Sequence, residues 1–375
     1  MRLTVTGGGT AGHVYPALSV IERLTGDPRW GTRPGDVLWV GSPAGMEGAL
    51  VRREGIRFEA VSTGALRGKS PVALVKGLQA IRRGISEARA LLREWHPDAI
   101  LATGGYVSAP LIMASRGLCP VLIYLPDVQP GMAIRYLGRR AQRIAVSFDE
   151  VRRFFPADKV FVSGYPVRRG LIEADKQASR RALGLLDADE GARMLLVLGG
   201  SRGAHSINMA VKALLTELLE LAHVYHITGV DDYPALQALA DGLPEARAAR
   251  YHPMAYAYEE MTDLLAAADL VVARSGAATL GEFPAVGAPA VLVPYPYAGQ
   301  HQELNASYLV ERSAARMVRD RDLGAELLPT VRSLLSDAAT LERMSAASRA
   351  AAVPLAAERI AEALLQMAQQ EEADQ

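Results

Sequence analysis

Two glycine-rich turns carry most of the chemical information in this sequence. The first spans Gly7–His13 and follows the apolar run 3–5, and the second spans Gly199–Ala204 and follows the apolar run 195–198. A glycine turn that opens a helix presents unpaired backbone N–H groups and the positive end of a helix dipole, and both favour a phosphate group. The pattern therefore predicts two nucleotide-fold domains that face each other across a cleft, with ligands at the carboxyl ends of their strands.

The first turn also has the spacing of a dinucleotide-binding fingerprint, through Gly7, Gly9 and Gly12. That fingerprint needs an acidic residue at the end of the second strand, where it holds a ribose. The second predicted strand, 36–40, runs into Gly41 instead. An NAD enzyme and a purely structural tight turn are therefore weaker interpretations than a phosphate site.

Thr10 and His13 place a hydroxyl and an imidazole at the mouth of the first turn. A histidine can act as a general base near neutral pH, so this pair favours catalysis. The alternative is that His13 only caps its own helix. A further glycine turn, Thr103–Pro110, follows a strand in the same half of the chain. Several such turns at one sheet edge suit a second phosphorylated ligand, such as a diphosphate-linked acceptor.

The second half of the chain contains polar groups that suit a nucleotide sugar. Arg274–Gly276 follows the apolar run 270–273 and opens a helix, and Glu282 lies about two turns further along, where it can accept hydrogen bonds from a ribose diol. The start of the next helix combines amide and imidazole groups that suit sugar hydroxyls, in His301, Gln302 and Asn305. A polar solvated loop with an N-terminal cap is the alternative for each of these three residues taken alone.

Parallel sheets must position these turns, because short apolar strands alternate with helical patterns along the chain. A Gly/Pro break at 163–168 marks the predicted domain boundary. From about 338 to 369 the pattern is helical and rich in alanine, broken at Pro354, and the polar tail 370–375 is expected to fray. The predicted strands are 2–6, 36–40, 99–102, 121–124, 143–146, 160–162, 194–198, 223–227, 270–273 and 290–293.

The composition is that of a soluble globular chain long enough for two domains. Its 375 residues are 50% hydrophobic and 22% charged, and 41 Lys and Arg balance 41 Asp and Glu. A chain without net charge has no global attraction to polyanions, so we expect no nucleic-acid partner. The single cysteine, Cys119, excludes an internal disulfide and is expected to be a buried structural thiol.

No cluster of residues has the spacing of metal ligands. Asp187 and Asp189 resemble the acidic pair that binds metal in some sugar transferases, but they precede a strand instead of ending one, and a solvated loop is the favoured interpretation. We therefore expect no metal and no cofactor. Arg274 and a helix N-terminus would take the charge of a leaving diphosphate.

An acid-free stretch, 60–86, predicts a surface for an anionic membrane. It contains cations beside an apolar stripe at helical spacing, and such a helix can dock on anionic lipids. The alternative is an amphipathic helix that packs on its own sheet. The residues assigned to this surface are Lys69, Leu74, Val75, Leu78, Ile81 and Arg82.

The sequence predicts no membrane-spanning helix. Its longest uncharged run, 99–115, is interrupted by Gly104, Gly105 and Pro110. No secretory signal precedes the first predicted strand, so we expect a cytoplasmic protein.

Taken together, these segments resemble one family, MurG, the UDP-N-acetylglucosamine transferase that completes lipid II for peptidoglycan. The similarity runs from residue 1 to about residue 365, and the combination of motifs is specific although each is weak alone. The segments that carry it are Gly7–Pro16, Met46-Glu47, Leu66–Lys69, Gly104–Ser108, Gly200–Ala204, Arg274–Ala277 and Gln302–Ala306.

The resemblance implies a GT-B fold, an α/β architecture of two Rossmann-like, doubly wound parallel-sheet domains. The acceptor domain would be 1–164 with a returning helix at about 350–369, and the UDP-sugar domain would be 165–349. The implied activity is inverting transfer of N-acetylglucosamine from UDP-GlcNAc to the undecaprenyl-diphosphate-linked muramyl-pentapeptide, which converts lipid I to lipid II. The implied location is peripheral, on the inner face of the cell membrane.

Site residues carry over position by position from the family motifs. His13 is the candidate base, with Thr10 beside it. The implied contacts with the acceptor diphosphate are Gly9, Ala11, Gly12, Gly104, Gly105 and Tyr106. The implied donor-binding residues are Arg168, Ser201, Asn208, Tyr258, Arg274, Ser275, Gly276, Glu282, His301, Gln302 and Asn305.

The chain departs from the family pattern at two places. The family carries His-Glu-Gln-Asn after its fourth or fifth strand, where this chain has Tyr124–Asp127, and the asparagine of the interdomain segment is Tyr165. The change favours a modified acceptor site, with Asp127 as an acceptor contact or an alternative base. The other interpretations are a related transferase with a different lipid or glycoside acceptor, a UDP-sugar epimerase, and an inactive sugar-nucleotide-binding module.

Overall fold

The structure is a computed structural model that describes residues 1–43, 45–64, 71–185, 192–200, 203–297 and 301–374, without the side chains of residues 11, 71–75 and 372–374. The chain divides into two compact units. Unit 1 contains Met1–Arg168 and Val353–Gln375, and unit 2 contains Arg169–Ala352. The sequence predicts these boundaries at 164 and 350, a few residues earlier than observed.

Unit 1 contains one parallel sheet. Its strands are β1 Leu3–Thr6, β2 Val37–Gly41, β3 Arg57–Ala60, β4 Ala99–Ala102, β5 Val121–Leu125, β6 Arg143–Val146 and β7 Val160–Val162. They lie in the order β3-β2-β1-β4-β5-β6-β7. Leu3 of the central strand pairs with Val37 on one side and Ala99 on the other. The central strands are buried along their length, which is why β2, β4 and β5 are continuous apolar runs in the sequence, while β1 alternates apolar residues with buried threonines.

Unit 2 contains a second parallel sheet. Its strands are β8 Met194–Leu198, β9 His223–Ile227, β10 Tyr251–Met254, β11 Leu270–Ala273, β12 Ala290–Leu292 and β13 Ala315–Met317. They lie in the order β10-β9-β8-β11-β12-β13. The predicted fold class of two doubly wound parallel-sheet domains is therefore confirmed, while their arrangement across a cleft stays a prediction.

Helices connect the strands in both units. Those of unit 1 are α1 Ala11–Gly26, α2 Glu47–Arg53, α3 Pro71–Trp95, α4 Ser108–Ala114 and α5 Met132–Leu137. Those of unit 2 are α6 Arg169–Glu173, α7 Lys176–Ala182, α8 His205–Ala213, α9 Leu215–Leu221, α10 Tyr233–Asp241, α11 Glu245–Ala248, α12 Glu260–Ala267, α13 Glu282–Val286, α14 His301–Glu311, α15 Leu323–Leu335 and α16 Ala338–Ala350. Among the helices in the described ranges, none combines the length and apolarity needed to cross a membrane.

The last helix, α17 Ala356–Asp374, returns to unit 1. It buries Ile360 and Leu364 in the same apolar core as Val5 and Trp39 of the sheet. It continues to Asp374, so the polar tail is helical at 370–374, and its expected fraying stays a prediction.

Three strands are missing from the sequence-based prediction, β3, β10 and β13. Each lies at the edge of its sheet. None of the four residues of β3 is buried, and β10 and β13 bury only their first residue. Each of these three strands contains charged or polar residues or proline, in RFEA, YHPM and ARM, so a search for apolar runs could not reveal them. The ten predicted strands are confirmed, with ends that differ by one residue at most.

In both sheets, the direction in which successive strands are added reverses beside a central strand, and that strand is followed by a glycine turn. β1 has β2 and β4 on its two sides, and β8 has β9 and β11. In open α/β sheets, ligands bind at the carboxyl edge at this point. Because β4 and β11 are also followed by polar turns, each unit places two of the predicted turns side by side.

Candidate functional site

The first glycine turn brings Thr10 and His13 into contact. Thr10 is the N-cap residue of α1 and has an extended backbone, with φ −147° and ψ 155°. Its hydroxyl does not cap the helix, and its Oγ1 lies 2.9 Å from Nδ1 of His13. The imidazole is therefore held by the threonine hydroxyl, as the pairing of these two residues in the sequence predicts.

The glycine turn after β4 packs directly against the first turn. A Cβ on Gly104 would lie 3.0 Å from Cδ2 and 3.2 Å from Nε2 of His13, and a Cβ on Gly105 would overlap the carbonyl oxygen of Gly8. Both glycines have positive φ values, +104° and +80°. The close approach therefore requires glycine at both positions for backbone geometry and for space. Tyr106, which is 46% exposed, lies over Gly9.

Asp127 and His13 interact electrostatically at the same sheet edge. Asp127 is half-exposed and follows β5, the neighbour of β4. Burial lowers the pKa of His13, and the negative charge of Asp127 acts in the opposite direction. His13 is therefore a neutral imidazole near neutral pH, with a carboxylate close enough to favour its protonated form, which is the arrangement expected of a general base.

Tyr124 and Tyr165, one residue from each departure from the family pattern, pack against each other. The rings of Tyr124 and Tyr165 lie edge to face, with centroids 6.4 Å apart and an interplanar angle of 74°. Tyr124 is buried within β5 and its hydroxyl lies 2.7 Å from Oγ of Ser147. Burial raises the pKa of Tyr124 far above its ordinary value, so it stays a neutral phenol. Of the segment 124–127, only Asp127 is more than marginally exposed.

Glu47 is a residue of this site to which the sequence analysis assigns no role. It is fully buried, and its carboxylate accepts hydrogen bonds from the backbone N–H groups of Gly9 (3.3 Å) and Ser42 (2.9 Å). The N–H of Gly9 is therefore already engaged, which argues against its predicted contact with the acceptor diphosphate. Ala11 and Gly12 form the first turn of α1, where N–H groups have no partner within the helix.

The second glycine turn lies between β8 and α8, and Ser201 is outside the described residues. Asn208 on α8 is buried, and its Nδ2 donates to the carbonyl oxygen of Thr228 and to Oδ2 of Asp232, both at 2.7 Å. Its Oδ1 lies 3.0 Å from Nε2 of His226. These bonds place Asn208 as a support beneath the turn, and its contact with the donor stays a prediction.

Arg274, at the turn after β11, is buried and paired. One of its terminal nitrogens lies 2.5 Å from Oδ1 of Asp320 and donates to the carbonyl oxygens of Val293 and Pro294. The other donates to Oγ of Ser206 at 2.7 Å. The carboxylate of Asp320 already neutralises the guanidinium charge of Arg274. The arrangement therefore does not support the expectation that Arg274 stabilises the negative charge of a diphosphate. It joins α8 to the loops that follow β12 and β13.

Ser275 connects the same turn to α14. Its side chain is fully buried and its Oγ donates to the carbonyl oxygen of Gln302 at 2.7 Å. In return, Nδ2 of Asn305 donates to the carbonyl oxygen of Ser275 at 3.2 Å. Oε1 of Gln302 accepts the N–H of Tyr295 at 2.9 Å. His301, half-buried, begins α14 beside these groups.

The helix predicted after Gly276 is two separate elements. Gly276 caps a 3₁₀ turn, Ala277–Leu280, and apart from its chain neighbours no atom of the described residues lies within 4 Å of a Cβ placed on it. The helical conformation is interrupted at Gly281, and Glu282 is the first residue of α13. The expectation that Glu282 lies two turns into one helix is therefore wrong. Its half-exposed carboxylate stands instead at a helix start.

Two predicted donor residues lie apart from these turns along the chain. Arg168 is the last residue of the first segment of unit 1, and its guanidinium stacks on the ring of Tyr15 at 4.8 Å, so its predicted assignment to the UDP-sugar domain is corrected. Tyr258 precedes α12, is 42% exposed and packs on Tyr256 with a centroid distance of 4.1 Å.

The predicted membrane surface lies on α3. Leu78 is 48% exposed, Arg82 is exposed and Ile81 is half-buried. Lys69 and the side chains of Leu74 and Val75 fall outside the described residues.

Two further expectations concern metal binding and the cysteine. Within the described ranges, no group of three His, Cys, Asp or Glu could hold a metal ion, and Asp187 and Asp189 lie outside those ranges. Cys119 is buried, which raises the pKa of its thiol to about 12, as expected of a structural cysteine.

Two family models match the chain. Residues 3–146 match the glycosyltransferase family 28 N-terminal domain, and residues 194–360 match the glycosyltransferase family 28 C-terminal domain. The first match lies within unit 1, and the second covers most of unit 2 and continues into the C-terminal segment of unit 1, at 353–360.

Similar proteins match over nearly the whole chain. Two curated relatives, from Roseiflexus sp. (strain RS-1) and Desulforudis audaxviator, are each 39% identical, over 96% and 98% of this chain and 94% and 99% of their own lengths. Both are named UDP-N-acetylglucosamine--N-acetylmuramyl-(pentapeptide) pyrophosphoryl-undecaprenol N-acetylglucosamine transferase. The crystal structure of Acinetobacter baumannii MurG is 25% identical with a TM-score of 0.70, covering 98% of this chain and 100% of that one.

We expect His13 to titrate below the ordinary histidine pKa of about 6.5, because protonation would place a charge in a partly desolvated site. Replacing Asp127 with Asn removes a charge that favours the imidazolium, so the pKa should fall further. NMR titration with histidine-selective labelling measures it, and His13→Gln assigns the resonance. Asp149→Asn, at an exposed carboxylate of unit 1, is the control. A His13 pKa that does not respond to Asp127→Asn would contradict the interaction.

Proposed function

The chain belongs to the MurG family of glycosyltransferase family 28, and we propose that it transfers N-acetylglucosamine from UDP-GlcNAc to the muramyl-pentapeptide carried on undecaprenyl diphosphate. The observation that carries this proposal is the similarity, over nearly the full chain, to relatives named for this reaction. The geometry supports it with two interlocked glycine turns around a neutral histidine in unit 1. The product serves peptidoglycan synthesis, and through it cell shape and division.

Unit 1 supplies the acceptor side of the reaction. The N–H groups at the start of α1 and the backbone of Gly104-Gly105 provide donors for the acceptor diphosphate. Nε2 of His13, beside Gly104, removes the proton from the acceptor hydroxyl. The hydroxyl oxygen then attacks the anomeric carbon of the donor, the bond to UDP breaks, and the configuration at that carbon inverts. The charge of Asp127 stabilises the imidazolium that forms.

Unit 2 supplies the donor side. The open space at Gly276 and the N-terminus of the 3₁₀ turn after it suit the diphosphate of UDP-GlcNAc, and Glu282 suits the ribose hydroxyls. Gln302 and His301 are proposed to face the sugar, while the buried Asn305, whose predicted contact with the sugar the structure does not support, holds the backbone of Ser275. The Arg274–Asp320 ion pair holds this turn in place.

The reaction is proposed to need no metal. Backbone N–H groups and a helix dipole can stabilise the leaving diphosphate of UDP without a cation. This proposal is checked in the transfer assay below by adding a chelator. Activity that is lost with EDTA and restored by Mg²⁺ or Mn²⁺ would overturn it.

The function is tested by incubating the protein with radiolabelled UDP-GlcNAc and a short-chain lipid I analogue. We expect transfer by the wild type. His13→Ala should lower kcat by roughly 10²–10⁴-fold, the usual contribution of a general base, while UDP binding measured by calorimetry is unchanged. Asp127→Asn should lower kcat less than His13→Ala does, because the carboxylate of Asp127 acts on the reaction only through the imidazole of His13.

The other outcomes of this assay separate the alternatives. No transfer to lipid I but transfer to another lipid or glycoside would identify a related transferase whose acceptor site was changed at Tyr124–Asp127. Conversion of the donor sugar without an acceptor would indicate an epimerase. A larger loss with Asp127→Asn than with His13→Ala would make Asp127 the base.

Glu282→Ala should weaken the binding of UDP by roughly 1–3 kcal/mol, the range for hydrogen bonds to a charged group. Calorimetry with UDP measures this effect. Glu326→Ala removes an exposed carboxylate from α15 of the same unit and serves as the control. Equal UDP affinity in the wild type and Glu282→Ala would remove Glu282 from the donor site.

The protein is proposed to work as a peripheral protein on the cytoplasmic face of the membrane, where a lipid-linked acceptor is presented. The exposed side chains of Leu78 and Arg82 on α3 support this surface. Replacing both, with Ser and Gln, should reduce sedimentation with anionic vesicles and leave UDP binding unchanged. Ile172→Ser, at an exposed apolar residue of unit 2, is the control. Unchanged vesicle binding would contradict the assignment.

A further inference from the structure

We propose that Glu47 is a positioning residue for the acceptor site. Its buried carboxylate holds the first glycine turn from inside the fold, and so fixes the direction of the N–H groups at the start of α1 and the location of His13. The ligand positioned in this way is the acceptor diphosphate, so this inference rests on the proposed function.

The carboxylate joins the turns that follow two neighbouring strands. Glu47 is the first residue of α2 and is fully buried. Its Oε2 accepts the N–H of Gly9, after β1, at 3.3 Å. Its Oε1 accepts the N–H of Ser42, after β2, at 2.9 Å. A buried carboxylate is costly unless its oxygens are hydrogen-bonded, so these two bonds are expected to be retained in the folded state.

Three glycines make room for this carboxylate. A Cβ on Gly8 would lie 2.5 Å from Cδ of Glu47, and a Cβ on Gly41 would lie 3.0 Å from its Cγ. A Cβ on Gly45 would overlap the carboxylate itself. Any larger residue at Gly8 or Gly45 would displace the carboxylate from the two N–H groups.

The bond to Gly9 determines the path of the next residues. Gly9 has a positive φ of +82°, and its N–H points inward to Glu47. Thr10 then continues in an extended conformation and places its hydroxyl against His13. Loss of the inward bond would free Gly9 to rotate, and the location of His13 would change with it.

The geometry requires a carboxylate and not an amide. Two N–H groups point at Glu47, so two acceptor oxygens are needed. In Glu47→Gln the side chain keeps its shape but offers one acceptor oxygen and one NH₂ donor. One backbone N–H would therefore face another donor, and one of the two turns would have to move.

Glu87 on α3 provides a matched control. Its Oε2 accepts the N–H of Ser62 at 2.7 Å, and its Oε1 accepts the hydroxyl of the same residue at 3.2 Å. Its Oε1 also accepts Nε of Arg83 at 2.7 Å, but that arginine side chain is exposed and can turn into solvent. A hydroxyl can accept as well as donate, so a glutamine can satisfy both groups of Ser62. Glu87→Gln is therefore the same substitution in the same unit without the same conflict.

The experiment compares wild type, Glu47→Gln and Glu87→Gln by hydrogen–deuterium exchange and by transfer kinetics. We expect faster exchange in Glu47→Gln in peptides that contain Gly9 and Ser42, with no such change in Glu87→Gln. The kcat/KM for the lipid I analogue should fall on the order of 10²-fold in Glu47→Gln, the effect of a misplacement of about 1 Å, while the UDP affinity stays unchanged. Gly45→Ala, which displaces the carboxylate but keeps it, should show the same defects if Glu47→Gln does not fold.

The outcomes separate this inference from the proposed function. A wild type that transfers no sugar would contradict the proposed function, and the exchange measurement would still test Glu47. A Glu47→Gln variant with wild-type exchange near Gly9 overturns the inference. So does a variant with a lower melting temperature but unchanged kcat/KM for the acceptor, because that result describes a buried group that only stabilises the fold.

Discussion

The close approach of two glycine turns at the carboxyl edge of β1 and β4 is the constraint on which the acceptor site depends. Adjacent parallel strands lie about 4.8 Å apart, so the turns that follow them compete for the same space. Gly105 can pack against the carbonyl oxygen of Gly8, and Gly104 can pack against the ring of His13, only because neither glycine has a Cβ. This packing fixes the imidazole between two backbone segments and lowers its pKa by desolvation.

Both units follow the same plan, and in both a carboxylate holds the turn, fully buried in unit 1 and 21% exposed in unit 2. In unit 1, Glu47 accepts backbone N–H groups beneath the first turn. In unit 2, Asp320 pairs with Arg274 behind the turn that follows β11. In each case a charge that would be costly if left unpaired stabilises a loop that must leave other backbone groups available to a ligand. The binding groups are therefore mostly backbone, and the charged side chains support them.

The sequence predicted the central strands and the glycine turns because both have local signals, an apolar run and a cluster of glycines. It missed β3, β10 and β13, which are partly exposed edge strands. It also gave no role to Glu47 or Asp320, because their partners are distant in the sequence, 38 residues from Gly9 in the case of Glu47. For the same reason Arg274 was interpreted as a ligand group, since only the fold reveals that Asp320 already pairs with it.

The most direct test of this account is the variant Gly105→Ala, assayed for transfer to the lipid I analogue and for UDP binding. Gly117→Ala is the control, because Gly117 also has a positive φ, +69°, but within the described part of the chain only its own neighbours lie within 4 Å of an added Cβ. The account predicts that Gly105→Ala, which pushes the two turns apart, loses transfer activity while UDP affinity and the activity of Gly117→Ala stay near wild type. Wild-type transfer by Gly105→Ala would contradict the claim that the interlocked turns form the acceptor site.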